Sequence, residues 1–279
     1  MVGLAVSAFT TSYMFRMDAL AAMRHLRARF GFRRFTVFVS SPHVWLSEIS
    51  PVQRREMPKI IKGEGLEIAA ICYPPGDYNL ASYAAEVRRL AQADIRGYID
   101  LAGEWGVEVM MVVPGRVSPL MMPPTELAIA HFVEGARVLA PAARDAGVKL
   151  LYENVPVTPF PRAADLVAAV EAAGERGVGI LYDITNGTYV GDDPCADLDL
   201  VWPHLGMIDA SDTRRDKYQH AAVGTGVVRF DRVAEKLKAR KYPGVTAIEM
   251  IVADDPDRAF AQSLDRMAAL GWEDPRQGP

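Results

Sequence analysis

Eight short apolar segments recur along the chain and predict eight strands. Several are apolar at every position rather than at alternate positions, which is typical of parallel strands buried on both faces. Their starts lie about 30 to 40 residues apart, which leaves room for a helix after each strand. The predicted strands are Val2–Ser7, Phe35–Ser40, Leu66–Cys72, Val107–Val113, Val148–Glu153, Val178–Asp183, Leu205–Asp209 and Val245–Met250.

Amphipathic patterns with helical spacing fill the spaces between these segments. A glycine that can adopt the left-handed conformation often separates such a pattern from the next strand, as at Gly106, Gly147, Gly177 and Gly244. Strand and helix therefore alternate along the chain, which indicates βαβ units. The predicted helices are Tyr83–Glu104, Glu126–Asp145, Ala163–Ala173, Asp231–Ala239 and Asp257–Ala269.

Eight strand–helix units predict an α/β fold, a single (β/α)₈ barrel spanning residues 1–279 as one domain. The length of 279 residues suits one such barrel. A doubly wound open sheet is the second interpretation. The first predicted strand–helix turn, Ser7 to Met17, lacks a glycine-rich fingerprint, which disfavours a dinucleotide-binding version of that sheet.

Composition narrows the range of partners and compartments. The formal net charge of −4 disfavours a nucleic-acid partner, whose phosphates demand a basic face. The two cysteines, Cys72 and Cys195, are far apart, so we expect no disulfide framework and a cytoplasmic location. The apolar start is interpreted as a buried strand rather than a signal peptide, and no apolar run reaches the roughly 18 residues of a membrane helix. The oligomeric state is left open, with a homo-oligomer as one option.

Four successive predicted strands end on a carboxylate. Taken singly, each is a solvated loop acid or a helix N-cap. In a (β/α)₈ barrel, however, all four would meet at the C-terminal ends of the strands, where like charges repel and raise one another's pKa values. A divalent cation removes this conflict, and oxygen ligands favour Mn²⁺ or Mg²⁺, with Co²⁺ or Zn²⁺ as alternatives. The predicted ligands are Glu153, Asp183, Asp209 and Glu249.

The chain resembles the xylose-isomerase-like barrel superfamily of sugar isomerases and epimerases. The stretches that carry the resemblance are Tyr98–Ala102, Val112–Gly115, Leu151–Asn154, Leu181–Asp183, His220–Gly226 and Ala247–Glu249. The resemblance implies metal ligands of the types Glu, Asp, His and Glu at the ends of strands five to eight. This chain departs from that pattern at two positions, with Asp209 in place of the third ligand's histidine and Asn186 where many members carry histidine.

Further polar residues follow the predicted strands and are candidates for substrate binding. The resemblance implies a site role for the loop histidine before Gly224, whereas the residues alone equally allow a surface histidine. Basic side chains in the same loop either hold substrate or are solvated, and the side chains after the second and third strands either contact substrate or pack. The candidates are His43, Tyr73, Asn186, Arg215 and His220.

A metal between two glutamates suits proton transfer beside a carbonyl. A sugar or keto-sugar would be deprotonated to an enediolate, with Glu153 and Glu249 as the acid and base. Return of the proton makes the protein an isomerase or epimerase, and departure of a β-oxygen makes it a carbon–oxygen lyase. A barrel that only binds a ligand is disfavoured because both glutamates are retained. The superfamily also includes a DNA-repair branch, which needs a histidine-rich trinuclear zinc site. We exclude that branch because, of the five histidines in this chain, only His43 and His220 could reach the mouth of the barrel.

Overall fold

Eight parallel strands close into a barrel in chain order. The computed structural model describes residues 3–74, 78–118 and 120–278, so Val2 of the first predicted strand lies outside the described residues. The strands are β1 (Ala5–Phe9), β2 (Arg34–Phe38), β3 (Glu67–Tyr73), β4 (Val109–Val112), β5 (Lys149–Glu153), β6 (Val178–Asp183), β7 (Leu205–Ala210) and β8 (Val245–Ile248). Pairing of Ala5–Ala8 with Val245–Ile248 joins the first strand to the last. The predicted (β/α)₈ barrel is confirmed, and the open sheet is wrong.

Helices follow the strands and surround the barrel. They are α1 (Ala19–Phe30), α2 (Pro51–Gly63), α3 (Ala85–Trp105), α4 (Thr125–Asp145), α5 (Ala163–Ala173), α6 (Ile184–Tyr189), α7 (Pro194–Val201), α8 (Phe230–Ala239) and α9 (Pro256–Leu270). The five predicted helices match α3, α4, α5, α8 and α9 to within two residues at each end. None of the helices in the described residues is long and apolar enough to cross a membrane.

Some predicted boundaries are corrected by the structure. The first strand begins at Ala5 and continues past Ser7 to Phe9, because Ser7 is fully buried within the strand and is followed by the buried apolar residues Ala8 and Phe9. Of the four predicted helix-ending glycines, three have positive φ angles, whereas Gly244 does not. After α8 the left-handed conformation falls on Lys241 instead, at φ 52°.

The buried core has two layers. The larger layer packs the outward faces of the strands against the helices. The smaller layer fills the barrel interior and draws one or two side chains from seven of the strands, as expected for a packed barrel. Its members are Phe9, Ala70, Cys72, Met111, Leu151, Leu181, Met207 and Ala247.

Candidate metal centre and active site

The four predicted acidic ligands lie together above the apolar interior layer. Side chains two residues apart on a strand share a face, so each carboxylate at the end of β5 to β8 stacks directly beyond an interior apolar residue. Leu151 precedes Glu153 in this way, and Leu181, Met207 and Ala247 precede the other three. Strand parity therefore directs all four carboxylates into the C-terminal end of the barrel.

The cluster is compact and closed to solvent. One carboxylate oxygen each from Glu153, Asp209 and Glu249 lie within 4.8 Å of one another, and a second such group joins Asp183 and Glu249 to His220. None of the five residues is more than 6% exposed. His220, predicted to bind substrate, thus lies against the acidic cluster, with Nδ1 3.2 Å from Glu249 Oε2 and 3.8 Å from Asp183 Oδ2.

Four carboxylate oxygens in this cluster have no hydrogen-bond partner in the part of the chain that the structure describes. They are Asp183 Oδ2, both carboxylate oxygens of Asp209 and Glu249 Oε2. The last lies at ion-pair distance from His220 Nδ1, but that nitrogen has Ser211 Oγ as its hydrogen-bond partner, at 3.0 Å. Buried carboxylate oxygens without partners are costly, and a divalent cation is the group that this hard-oxygen donor set fits.

The pKa values of the clustered acids in the metal-free protein also indicate that the cluster lacks a cation to balance its charge. Burial and then the charges of neighbouring carboxylates raise the pKa values of Glu153 and Asp209 well above their ordinary range. Burial likewise raises the pKa of Asp183 to about 7, although nearby His220 opposes the shift. Burial lowers the pKa of His220, but Glu249 and Asp183 outweigh it and raise that pKa to about 9. Without a cation, the cluster therefore tends to hold protons at neutral pH.

Asn186 is tied to the acidic cluster by the start of α6. Asp183 caps this short helix, because its Oδ1 accepts from the Asn186 backbone N–H at 2.8 Å. The Asn186 side chain then donates from Nδ2 to Glu153 Oε1 at 3.1 Å. Asn186 was predicted to bind substrate; the structure places its amide against a proposed ligand.

The loop after β7 is folded around Asp212. The Asp212 carboxylate accepts from the backbone N–H groups of Thr213 at 3.0 Å, Gly224 at 2.9 Å and Val228 at 3.1 Å. Gly226 lies so close to this anchor that an added Cβ would clash with the Thr213 carbonyl oxygen. Asp212 therefore holds the loop that carries His220, and it is not one of the clustered acids.

One site residue, Tyr218, was missed by the sequence analysis. Its hydroxyl donates to Asn186 Oδ1 at 2.7 Å and lies 3.1 Å from His220 Nε2. A tyrosine in an irregular loop has no periodicity to place it, and its partner Asn186 is 32 residues away along the chain. The only available signal was its position two residues before His220.

Three predicted substrate-binding residues are not brought to the cluster. Tyr73 follows the inward-facing Cys72, so its side chain points outward and donates to Asp94 on α3 at 2.7 Å. His43 is buried with both ring nitrogens engaged, at 2.9 Å from the Met17 carbonyl and 2.7 Å from a threonine hydroxyl. Arg215 is exposed in the loop after β7.

Comparisons with solved structures agree with the barrel. A D-tagatose 3-epimerase-like protein superposes with a TM-score of 0.81 at 22% identity, covering 96% of this chain and 98% of that one. The apo form of 3-keto-D-glucoside 4-epimerase YcjR from E. coli superposes with a TM-score of 0.77 at 20% identity, covering 95% and 99%. At these identities the likeness shows a shared fold.

Sequence comparison identifies the family. Protein MJ1311 of Methanocaldococcus jannaschii is 28% identical over 195 residues, which are 66% of this chain and 64% of that protein. The match thus spans just under two thirds of that curated relative. The family model described as "Xylose isomerase-like TIM barrel" matches residues 25–270, which is most of the chain. This chain therefore belongs to the xylose isomerase-like TIM barrel family.

Proposed function

We propose that this protein is a divalent-metal-dependent isomerase or epimerase of a sugar or keto-sugar. The observation that carries the proposal is the pair of buried glutamates, Glu153 and Glu249, whose carboxylate oxygens come within 4.8 Å of each other in a cluster with unpaired carboxylate oxygens. The epimerase names of the two solved structures support the same class of substrate. We expect no nucleic-acid or membrane partner.

The metal would be held by Glu153, Asp183, Asp209 and Glu249, with Mn²⁺ or Mg²⁺ favoured over Co²⁺ or Zn²⁺. When bound, it would act as a Lewis acid on a substrate carbonyl and a neighbouring hydroxyl. The position of Asp209 supports its role as a ligand in place of histidine, because both of its oxygens are buried and neither has a protein partner in the described residues.

The protein's own groups supply the proton chemistry. One glutamate removes the proton beside the carbonyl, and the other returns a proton to the neighbouring carbon or to the opposite face. Glu153 keeps Oε2 available, since Asn186 occupies Oε1. Glu249 has His220 beside it, with Nδ1 3.2 Å from Oε2. The near-complete burial of both glutamates excludes water from the proton-transfer step.

The experiment is a panel of ketoses, inososes and 3-keto-glycosides, incubated in D₂O with the Mn²⁺-loaded protein. We expect deuterium beside the carbonyl of at least one substrate, accompanied by a rearranged isomer, and no reaction after chelation of the metal. Dehydrated or cleaved products would instead identify a carbon–oxygen lyase that uses the same enediolate. Tight Mn²⁺ binding without exchange in any compound would contradict the proposal and favour a barrel that only binds a ligand.

A further inference from the structure

A continuous line of side chains connects the two glutamates of the cluster. Asn186 Nδ2 donates to Glu153 Oε1 at 3.1 Å, and the Tyr218 hydroxyl donates to Asn186 Oδ1 at 2.7 Å. His220 Nε2 lies 3.1 Å from the same hydroxyl, and His220 Nδ1 lies 3.2 Å from Glu249 Oε2. Three side chains from α6 and the loop after β7 thus lie between Glu153 at the end of β5 and Glu249, which directly follows β8.

The chemistry of the groups fixes the direction of these hydrogen bonds. In the metal-loaded protein the Glu153 carboxylate is ionised and only accepts, so the Asn186 amide must present its NH₂ group to Glu153 and its oxygen to Tyr218. The single hydroxyl proton of Tyr218 is then committed to Asn186. The Tyr218 oxygen can only accept from His220, which therefore carries a proton on Nε2.

Tyr218 is the residue that links Asn186 to His220 in this series of hydrogen bonds. The Glu153 carboxylate sets which way the Asn186 amide faces, because a tyrosine hydroxyl can either donate or accept. The Tyr218 hydroxyl then holds the amide in place through a second hydrogen bond and also contacts His220 Nε2. The Tyr218 ring packs against Tyr189, with centroids 4.9 Å apart and the ring planes tilted by 38°, and makes an edge contact with His220 at 5.4 Å.

We propose that Tyr218 is a positioning residue that orders Asn186 and His220, the two side chains that lie against Glu153 and Glu249. The inference rests on the proposed function for its catalytic consequence, whereas the hydrogen-bond order stands on the geometry alone. Tyr218 acts through other residues, so its hydroxyl should affect the rate of turnover more than the binding of substrate.

The kinetic test compares Tyr218→Phe with Tyr189→Phe. The first variant removes the bridging hydroxyl and keeps the packed ring, and the second removes a hydroxyl without a partner among the described residues. We expect kcat of Tyr218→Phe to fall about 10- to 100-fold, the range seen when groups that orient metal ligands are removed, with KM within about twofold and Tyr189→Phe unchanged. Equal kcat in the wild type and Tyr218→Phe would overturn the proposal.

A second measurement does not depend on activity. In the Mg²⁺-loaded protein with ¹⁵N-labelled histidine, and with a His220→Gln variant for assignment, two-bond ¹H–¹⁵N correlations report which ring nitrogen of His220 is protonated. We expect a protonated Nε2 with slow solvent exchange in the wild type, and faster exchange in Tyr218→Phe. An unprotonated Nε2 in the wild type would overturn the hydrogen-bond order. The expected signals in a protein that turns over no sugar would refute the proposed function and leave the order intact.

Discussion

Asp183 and Asp209 are direct partners across the parallel pair of β6 and β7, and both carboxylates are fully buried inside the barrel. Two buried acids in register with each other are an arrangement that a protein does not keep for stability, because each raises the cost of ionising the other. Three of the four oxygens in this pair have no partner in the described residues. A cation between them is the simplest physical reason for the arrangement.

The Asp209→Asn variant tests whether Asp209 is a ligand. The substitution keeps the size of the side chain but removes one full charge from the oxygen donor set. We expect Mn²⁺ affinity, measured by titration calorimetry, to fall by at least about tenfold. Unchanged affinity would show that Asp209 only borders the site and that another group, such as His220, completes it.

The Asp209→His variant restores the ligand type that the family resemblance implies at this position. Imidazole suits Zn²⁺ and Co²⁺ better than a carboxylate does. We therefore expect metal binding to survive and the preference, measured by competition between Mn²⁺ and Co²⁺, to shift toward Co²⁺. A variant that binds neither ion would indicate that the cavity at Asp209 cannot accept a ring.

The stability of the metal-free protein should depend on pH in a specific direction. A carboxyl whose pKa is raised on folding stabilises the fold fully below its unfolded pKa, and this contribution is lost as pH rises through the folded value, which is about 7 for Asp183. The pKa of His220 is raised to about 9 in the folded protein, so its contribution to stability is likewise lost as pH rises. We expect the free energy of unfolding in chelator to fall between pH 6 and pH 9.

The control for this pH dependence is Asp183→Asn. The amide oxygen can still cap α6 by accepting from the Asn186 backbone N–H, but the titrating group is gone. The decline in stability with rising pH should therefore be shallower in the variant, as measured by urea unfolding at each pH. A wild type whose metal-free stability rises from pH 6 to pH 9 would contradict the electrostatic description of the cluster.

The anchoring of the loop after β7 by Asp212 is testable with a matched pair of substitutions. Asp212→Asn replaces either Oδ2, which accepts from Gly224, or Oδ1, which accepts from both Thr213 and Val228, so at least one N–H loses its partner. We expect a loss of about 1–3 kcal/mol in the free energy of unfolding. Asp216→Asn, on an exposed side chain of the same loop, should change it by less than about 0.5 kcal/mol.

The fold and the acidic cluster were predictable because both follow from simple periodicity. Each of the four acids ends an apolar run, and its place in the fold follows because the C-terminal ends of barrel strands converge. The four acids are Glu153, Asp183, Asp209 and Glu249. Tyr73 was harder to place, because a strand buried on both faces does not alternate and so does not reveal which side faces inward.

The remainder of the site depends on loop geometry. Tyr218 reaches Asn186 because the loop after β7 folds around Asp212, and this path depends on backbone hydrogen bonds that no residue pattern encodes. His43 followed a strand end as predicted, yet the local loop turns it toward the Met17 carbonyl. Position after a strand predicts proximity to the mouth of the barrel, but it does not predict side-chain direction.

The most direct test of the account is proton exchange in Glu153→Gln and Glu249→Gln at saturating Mn²⁺. Glutamine keeps an oxygen donor, so some metal binding should survive, but an amide cannot act as a base near neutral pH. We predict that turnover and exchange of the substrate proton in D₂O both fall by about 10²- to 10⁴-fold, with Glu86→Gln on the exposed face of α3 unchanged. Exchange within a few-fold of wild type in both glutamine variants would contradict the assignment of these glutamates as the acid and base.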